Sequence, residues 1–281
     1  MKDYLKPFLR KEKALFLAYD HGFEHGPSDL FGKSIDPQYI LDLAVKGGYT
    51  GIILQKGIAE KYYSGALYQR KIPLILKING KTNLNNESDP YSATNCSIEY
   101  ARELGAKAVG YTIYLGSEYE AKMFEEFGRI QEQAHHLGLA IVAWIYPHTK
   151  AMVSRHLDET NEVFDQREQR FGAGVHPRGK SIKNETSPDI TAYAARVGLE
   201  LGADMVKIKY SGSKESFQKA VEAAGRTKVV LSGGPFLSEQ EFLEMIKHSL
   251  EAGAVGVAVG RNVWQRENAL AITEKIKKIL F

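Results

Sequence analysis

The stretch Lys228-Val229-Val230-Leu231-Ser232-Gly233-Gly234-Pro235 opens the unit whose reading decides the fold. An unbroken apolar run of this kind is what a strand covered on both faces looks like. It stops at two glycines, and over residues 239–252 apolar residues recur at three- and four-residue spacing, the mark of an amphipathic helix. Ser238 and Glu241 start that helix as a capping-box pair. Gly253 ends it with a left-handed cap, and the next run, Val255-Gly256-Val257-Ala258-Val259-Gly260-Arg261-Asn262, begins at once.

The same order extends back through the chain. Apolar runs at 14–20, 51–55, 73–79, 108–114, 140–146 and 205–210 bring the predicted strands to eight. Further helical patterns lie at 118–137, 190–201 and 216–224, the first with Ser117 ahead of it as a cap. Gly105, Gly138 and Gly202 stand just before the next strand, as Gly253 does. Strict alternation favours a parallel sheet wound with helices. Eight units in about 250 residues predict a single (β/α)8 TIM barrel over 1–281 in place of an open sheet. The pattern breaks over 148–187, which is polar and charged. It reads as a long loop inserted after the fifth strand, where such folds carry their chemistry.

Composition narrows the function. The 281 residues hold 37 Lys and Arg against 34 Asp and Glu, a formal charge of +3, with 43% hydrophobic residues. These fractions exclude a disordered or fibrous chain. The small basic excess, without a Lys/Arg block, predicts no nucleic-acid partner. Cys96 is the only cysteine, so neither a disulfide framework nor a multi-thiolate metal site can form within one chain. The N-terminal residues lack the apolar core of a signal peptide, and no window approaches the roughly 18 apolar residues of a membrane span. A cytoplasmic protein without a membrane partner is the expectation.

Chemistry gathers at the predicted strand ends. Ser232-Gly233-Gly234 and Gly260-Arg261 each lead into a helix. Bare glycine amides and helix starts favour an anion, and Arg261 can grip phosphate oxygens in a fork. Barrels commonly hold phosphate between strands seven and eight. Tight turns alone would also explain the glycines. On the sixth strand Lys207 and Lys209 are two apart, which turns both into the barrel with backbones roughly 6.5 Å apart. At an effective dielectric near 20 they would repel by about 2.5 kcal/mol, roughly two pKa units. Desolvation acts the same way, towards the neutral amine that Schiff-base chemistry needs. The plainer alternative is a lysine paired with a carboxylate or holding phosphate.

Trp144 and Tyr146 share one face of the fifth strand. A phenol beside amines could exchange protons, its pKa lowered by the positive charge, although both residues would also serve as core. Asp20, at the tip of the first strand, reads as an acid–base group or an ion-pair partner for Lys207 or Lys209. Asp20, His21, Glu24 and His25 could be taken for metal ligands, but Gly22 and Gly26-Pro27 argue for a loop, and no HExxH or HxH pattern occurs. No metal is expected. Lys56 and Lys77, taken singly, read as structural.

Together these pieces resemble the archaeal-type class I fructose-bisphosphate aldolases. The resemblance is carried by Tyr19-Asp20-His21-Gly22-Phe23-Glu24-His25-Gly26-Pro27, Gln55-Lys56-Gly57-Ile58, Leu76-Lys77-Ile78-Asn79-Gly80-Lys81-Thr82 and Trp144-Ile145-Tyr146-Pro147. It continues in Pro177-Arg178-Gly179-Lys180, Asn184-Glu185-Thr186, Lys207-Ile208-Lys209-Tyr210-Ser211-Gly212, Ser232-Gly233-Gly234-Pro235 and Gly260-Arg261-Asn262-Val263-Trp264-Gln265. It implies a barrel that reversibly cleaves fructose 1,6-bisphosphate, with Lys207 forming the Schiff base and no cofactor. It implies Tyr146 as proton donor and acceptor, Asp20 assisting and Trp144 shaping the pocket. Lys209 would keep Lys207 basic but uncharged. Ser232, Gly233, Gly234, Gly260 and Arg261 would hold a phosphate, and His21, His25 and Lys56 would join Asp20 in contacting the sugar phosphate. A homo-oligomer is implied as well. One departure stands out: 148–176 intervenes between Tyr-Pro and Arg-Gly, so either His148 or Arg178 takes the place beside Tyr146 and the second phosphate.

Three other readings share parts of this pattern. A related Schiff-base lyase or transaldolase-like enzyme, such as an aminodideoxyheptulosonate synthase, would keep the lysine and the phosphate site. A barrel isomerase of histidine or tryptophan synthesis would keep the phosphate site without an imine. A catalytically silent phosphosugar-binding protein would bind without turnover.

Overall fold

Eight parallel strands close into a barrel in the computed structural model, which describes residues 3–26, 29–84, 89–148 and 188–281. They are β1 (Ala14–Tyr19), β2 (Gly51–Gln55), β3 (Leu74–Lys77), β4 (Ala106–Leu115), β5 (Ala140–Pro147), β6 (Met205–Ile208), β7 (Lys228–Ser232) and β8 (Gly256–Val259). Each strand pairs with its sequence neighbours, and β1 closes on β8, from Ala14 beside Gly256 to Leu17 beside Val259. All eight apolar runs therefore became barrel strands, their ends shifted by a few residues. A two-residue antiparallel pair, Asn79–Gly80 with Ala93–Thr94, was not anticipated. The inserted loop expected over 148–187 lies, apart from His148, outside the described residues.

The four expected helices form at Glu120–His136, Pro188–Glu200, Lys214–Ala223 and Glu239–Glu251. Ser238 caps the last, its hydroxyl accepting from the Glu241 amide at 3.3 Å. Ser117 does not cap the first. That helix starts later, and the Ser117 hydroxyl donates to the Pro90 carbonyl at 2.8 Å. Its position ahead of the glutamates is right for a cap, but the chain makes one more turn before the helix sets in.

Strand alternation sorts the core into two layers. Leu15, Leu17, Val206, Ile208, Val229 and Leu231 face the helices. Ala14, Phe16, Ala18, Ile53, Ile75, Ala108, Val142, Met205, Val230 and Ala258 fill the barrel. Phe8, fully buried after the 3-10 turn Lys6–Phe8, packs edge-on against Phe16 with ring centroids 5.8 Å apart and plugs the N-terminal end. Side chains alternate along a strand, so the residue two beyond each inner apolar one points to the open end. Ala18 leads to Asp20, Ile75 to Lys77, Val142 to Trp144 and then Tyr146, and Met205 to Lys207. Val230 leads to Ser232 and Ala258 to Gly260. The layer above the apolar floor is the polar one.

Candidate active site

Lys207 stands in the barrel interior at 4% exposure, and Asp20 faces it at 5%. Burial would push the Asp20 carboxyl up, but Lys207, followed by His21 and Lys77, pulls it down to about 2. Asp20 is therefore ionised at neutral pH, and Lys207 is the cation that favours its charged form most. The Lys207 amine is pushed below the usual lysine range, chiefly by desolvation. Asp20 opposes that shift and Lys77 adds to it.

The second cation is thus Lys77, and the expected role of Lys209 needs correction. Lys77 is fully buried, and its ammonium pairs with the Glu24 carboxylate. The Lys77 and Lys207 ammonium nitrogens lie 5.6 and 5.1 Å from the Trp144 ring centroid. Lys209 follows the end of β6, is half-buried, and carries its nitrogen over the Tyr146 ring at 5.4 Å. Residues two apart share a face, but long side chains beyond the last ladder pair can splay. Side chains from β3 and β6 converge on the barrel axis instead.

Tyr146 departs from expectation in direction. Burial, reinforced by Asp20 and Glu24, raises its phenol well above the usual range, while a hydrogen bond with Ser232 opposes this. Desolvation and the nearby carboxylates together keep the phenol protonated. Ser232, expected at a phosphate, here has its side chain at Tyr146. Trp144 is almost fully buried. Its ring fits because Gly110 lies beside it, where a methyl group would sit 2.0 Å from Cζ3.

Residues 21–24, expected as loop, form one helical turn, His21–Glu24, with His25 as its C-cap. The His21 and His25 rings lie 5.0 Å apart. Burial holds His21 down to about 3 and His25 below its usual range, so both are neutral at physiological pH; their Nδ1 atoms lie 3.5 Å from the Asp20 carboxylate and 3.6 Å from that of Asp29, respectively. Among the described residues no group of three or more His, Cys, Asp or Glu could hold a metal ion. His21 packs against Gly260, where an added Cβ would meet its Cε1 at 2.5 Å.

The glycine-rich turns meet between β7 and β8. Gly233 is not a bare amide, because its N–H donates to the Ala258 carbonyl at 3.0 Å. Gly234 turns away with φ 66°. Arg261 opens the helical turn Arg261–Trp264, donates from one terminal nitrogen to the Gly234 carbonyl at 3.2 Å, and lies 3.4 Å from the Asp29 carboxylate. Asn262 ties the two turns together, donating to the carbonyls of Gly233 at 2.9 Å and Pro235 at 2.6 Å.

Beside Asp20 a cavity of about 540 Å³ opens, lined by Gln55, Lys56, Lys61, Tyr62 and Asn95 among others. The Lys56 ammonium donates to the Asn95 carbonyl at 2.8 Å. His148 sits half-buried at the end of β5, its amide donating to the Leu115 carbonyl at 2.7 Å. Arg178 lies outside the described residues, as do the 177–180 and 184–186 motifs. Sequence reasoning gives Asp29 and Asn262 no role at this end of the barrel, takes Lys77 as structural and weighs Glu24 only as a metal ligand. Alternation past Ile75 was the available signal for Lys77. The others depend on contacts between separate loops.

Residues 14–166 and 171–266 match the DeoC/LacD aldolase family. The chain belongs to that family. Among DeoC/LacD aldolases and related proteins it is similar to the class 1 fructose-bisphosphate aldolase of Thermoproteus tenax. The two are 47% identical over 281 residues, covering 99% of this chain and 93% of the relative. The class 1 enzyme of Halobacterium salinarum is 41% identical, with 98% and 93% covered. A structure of an archaeal fructose-1,6-bisphosphate aldolase, with its catalytic lysine covalently bound to the carbinolamine intermediate, superimposes at TM-score 0.83 and 46% identity. It covers 99% of this chain and 97% of that one. A second, from a study of reaction intermediates of the Schiff-base-forming aldolase, also gives 0.83 and 46%, with 99% and 98% covered. These likenesses favour the aldolase among the four readings of the sequence.

Proposed function

We propose that this DeoC/LacD aldolase reversibly cleaves fructose 1,6-bisphosphate to glycerone phosphate and glyceraldehyde 3-phosphate through an imine on Lys207. The observation that carries the reading is the buried Lys207 amine, depressed in basicity and facing the ionised Asp20 carboxylate at the open end of the barrel. Cleavage needs an electron sink at C2, and an iminium provides one.

The proton positions suggest an order of events. Neutral Lys207 adds to the C2 ketone, giving a carbinolamine. Tyr146, held protonated, donates to the departing hydroxyl and releases water, leaving an iminium and a phenolate. That phenolate is a strong base because its pKa is high, and it takes the C4 hydroxyl proton as the C3–C4 bond breaks. Glyceraldehyde 3-phosphate leaves, and the phenol returns its proton to C3 of the enamine. Water then adds to the iminium, and glycerone phosphate departs from Lys207. Asp20 holds Lys207 and balances the iminium charge. Arg261, with Gly234 and Gly260, would receive one phosphate, and the cavity near Lys56 gives room for the rest of the substrate. A bidentate charged contact is worth about 1.5–3 kcal/mol. Arg261→Leu should therefore raise KM roughly 10- to 100-fold and change kcat little, measured by initial rates.

The chemistry itself is tested by treating the protein with fructose 1,6-bisphosphate and borohydride, followed by peptide mass spectrometry. A reduced adduct on Lys207 is expected, and turnover without any trapped lysine would rule the imine out. Among the described residues no helix is long and apolar enough to cross a membrane. A cytoplasmic location and a homo-oligomer fit a glycolytic aldolase and belong to the same proposal.

A further inference from the structure

Two charged side chains at the open end, Glu24 and Lys77, have no place in the steps above. Lys77 is fully buried, whereas lysines are almost never so unless paired. Its partner comes from the one-turn helix after β1, and Glu24 is itself largely covered. Replacing such a pair with apolar residues is often neutral or stabilising, so stability alone gives weak grounds for its presence. Its location is more informative. Lys77 and Lys207 share the Trp144 ring, which puts their ammonium groups within about 11 Å of each other, with little water between to screen them.

We infer that Glu24 and Lys77 form a fixed pair of opposite charges whose cation keeps Lys207 ready as a neutral nucleophile, making both of them positioning residues for imine formation. This rests on the proposed Schiff-base reading. Lys77 works through Lys207, and Glu24 works by holding Lys77 in place. The other groups facing this space are Asp20 and His21 at the end of β1, Tyr146 on β5 and Arg261 after β8. Asp20 favours the ammonium form of Lys207, while Lys77 and Arg261 oppose it. Glu24 acts on Lys207 in the same sense as Asp20, and less strongly than Lys77 opposes it. The pair is therefore not neutral in its effect: the cation prevails at Lys207.

The signs of the charges make the test specific. The titration midpoint of Lys207 can be read without substrate, from the pH dependence of its labelling by an amine-reactive reagent followed by mass spectrometry. Lys77→Met should raise that midpoint by about one pH unit, the size of a unit charge at some 10 Å and an effective dielectric near 20. Glu24→Gln should lower it by less. The double variant, which leaves no buried charge unpaired, should return close to the wild-type midpoint, and Lys77→Arg should hold it. The acid limb of kcat/KM for fructose 1,6-bisphosphate should move in the same directions. A Lys77→Met midpoint unchanged in folded protein, or Glu24→Gln and Lys77→Met moving it the same way, would overturn the inference. Should Lys77→Met fail to fold, the double variant and Glu24→Gln still decide, since a midpoint rising in Glu24→Gln contradicts the assignment. Failure of wild-type Lys207 to trap substrate under borohydride would instead defeat the underlying Schiff-base reading.

Discussion

Replacing Lys207 with methionine should lower fructose 1,6-bisphosphate cleavage by roughly 10⁵- to 10⁶-fold, the scale on which loss of a covalent nucleophile acts. Methionine keeps the length and apolar stem and removes only the amine, so the barrel should close as before. Borohydride should then trap no adduct. Stability should change in one direction that a simple loss of packing would not give. Asp20 has a depressed pKa, near 2 in the folded chain against about 3.9 unfolded. Its contribution is therefore complete above about pH 4 and is lost as pH falls towards 2. Without Lys207 the main counter-charge disappears, the carboxyl titrates at higher pH, and acid unfolding should begin earlier. Circular dichroism across an acid titration measures this. Cleavage retained within tenfold of wild type would reject Lys207 as the nucleophile.

The second large effect comes from a residue that holds no chemistry. Gly110→Ala places a methyl group 2.0 Å from Cζ3 and 2.2 Å from Cη2 of Trp144, well inside contact distance. The neighbouring strands fix the backbone, since Gly110 is in register with Lys77 on β3 and Val142 on β5. The indole must give way. Overpacking of this kind costs about 1–3 kcal/mol. The functional loss should be larger, because Lys77 and Lys207 both lie against that ring. A displacement of an ångström at a reacting group can cost about 10²-fold, so kcat/KM should fall by at least that much. Near-UV circular dichroism should report the moved tryptophan. Wild-type kcat/KM in a folded Gly110→Ala protein would mean that the indole position does not matter to the reaction.

The site was legible in the sequence to an uneven degree. Asp20, Trp144, Tyr146 and Lys207 could be placed at the open end from strand alternation alone, because period two fixes which side chains enter the barrel. The same rule pointed Lys77 inward, but a lone lysine in an apolar run gives no hint of its partner. Glu24 lies 53 positions earlier in the chain, and only the turn after β1 carries it across. The Gly233 amide illustrates the opposite error. A glycine after a strand reads as an open anion cradle, yet this one is already spent on the neighbouring strand's Ala258 carbonyl.

Local pattern alone determined that this chain forms eight buried parallel strands joined by amphipathic helices, because burial on both faces and helical periodicity are written residue by residue. The charges at the mouth were decided by tertiary structure. Lys77 took the place expected of Lys209, and the Tyr146 phenol was pushed up in pKa where its expected neighbours would have lowered it. Electrostatic energy depends on distance through space and on desolvation, and closing the barrel sets both by bringing β1, β3, β5 and β6 to one axis.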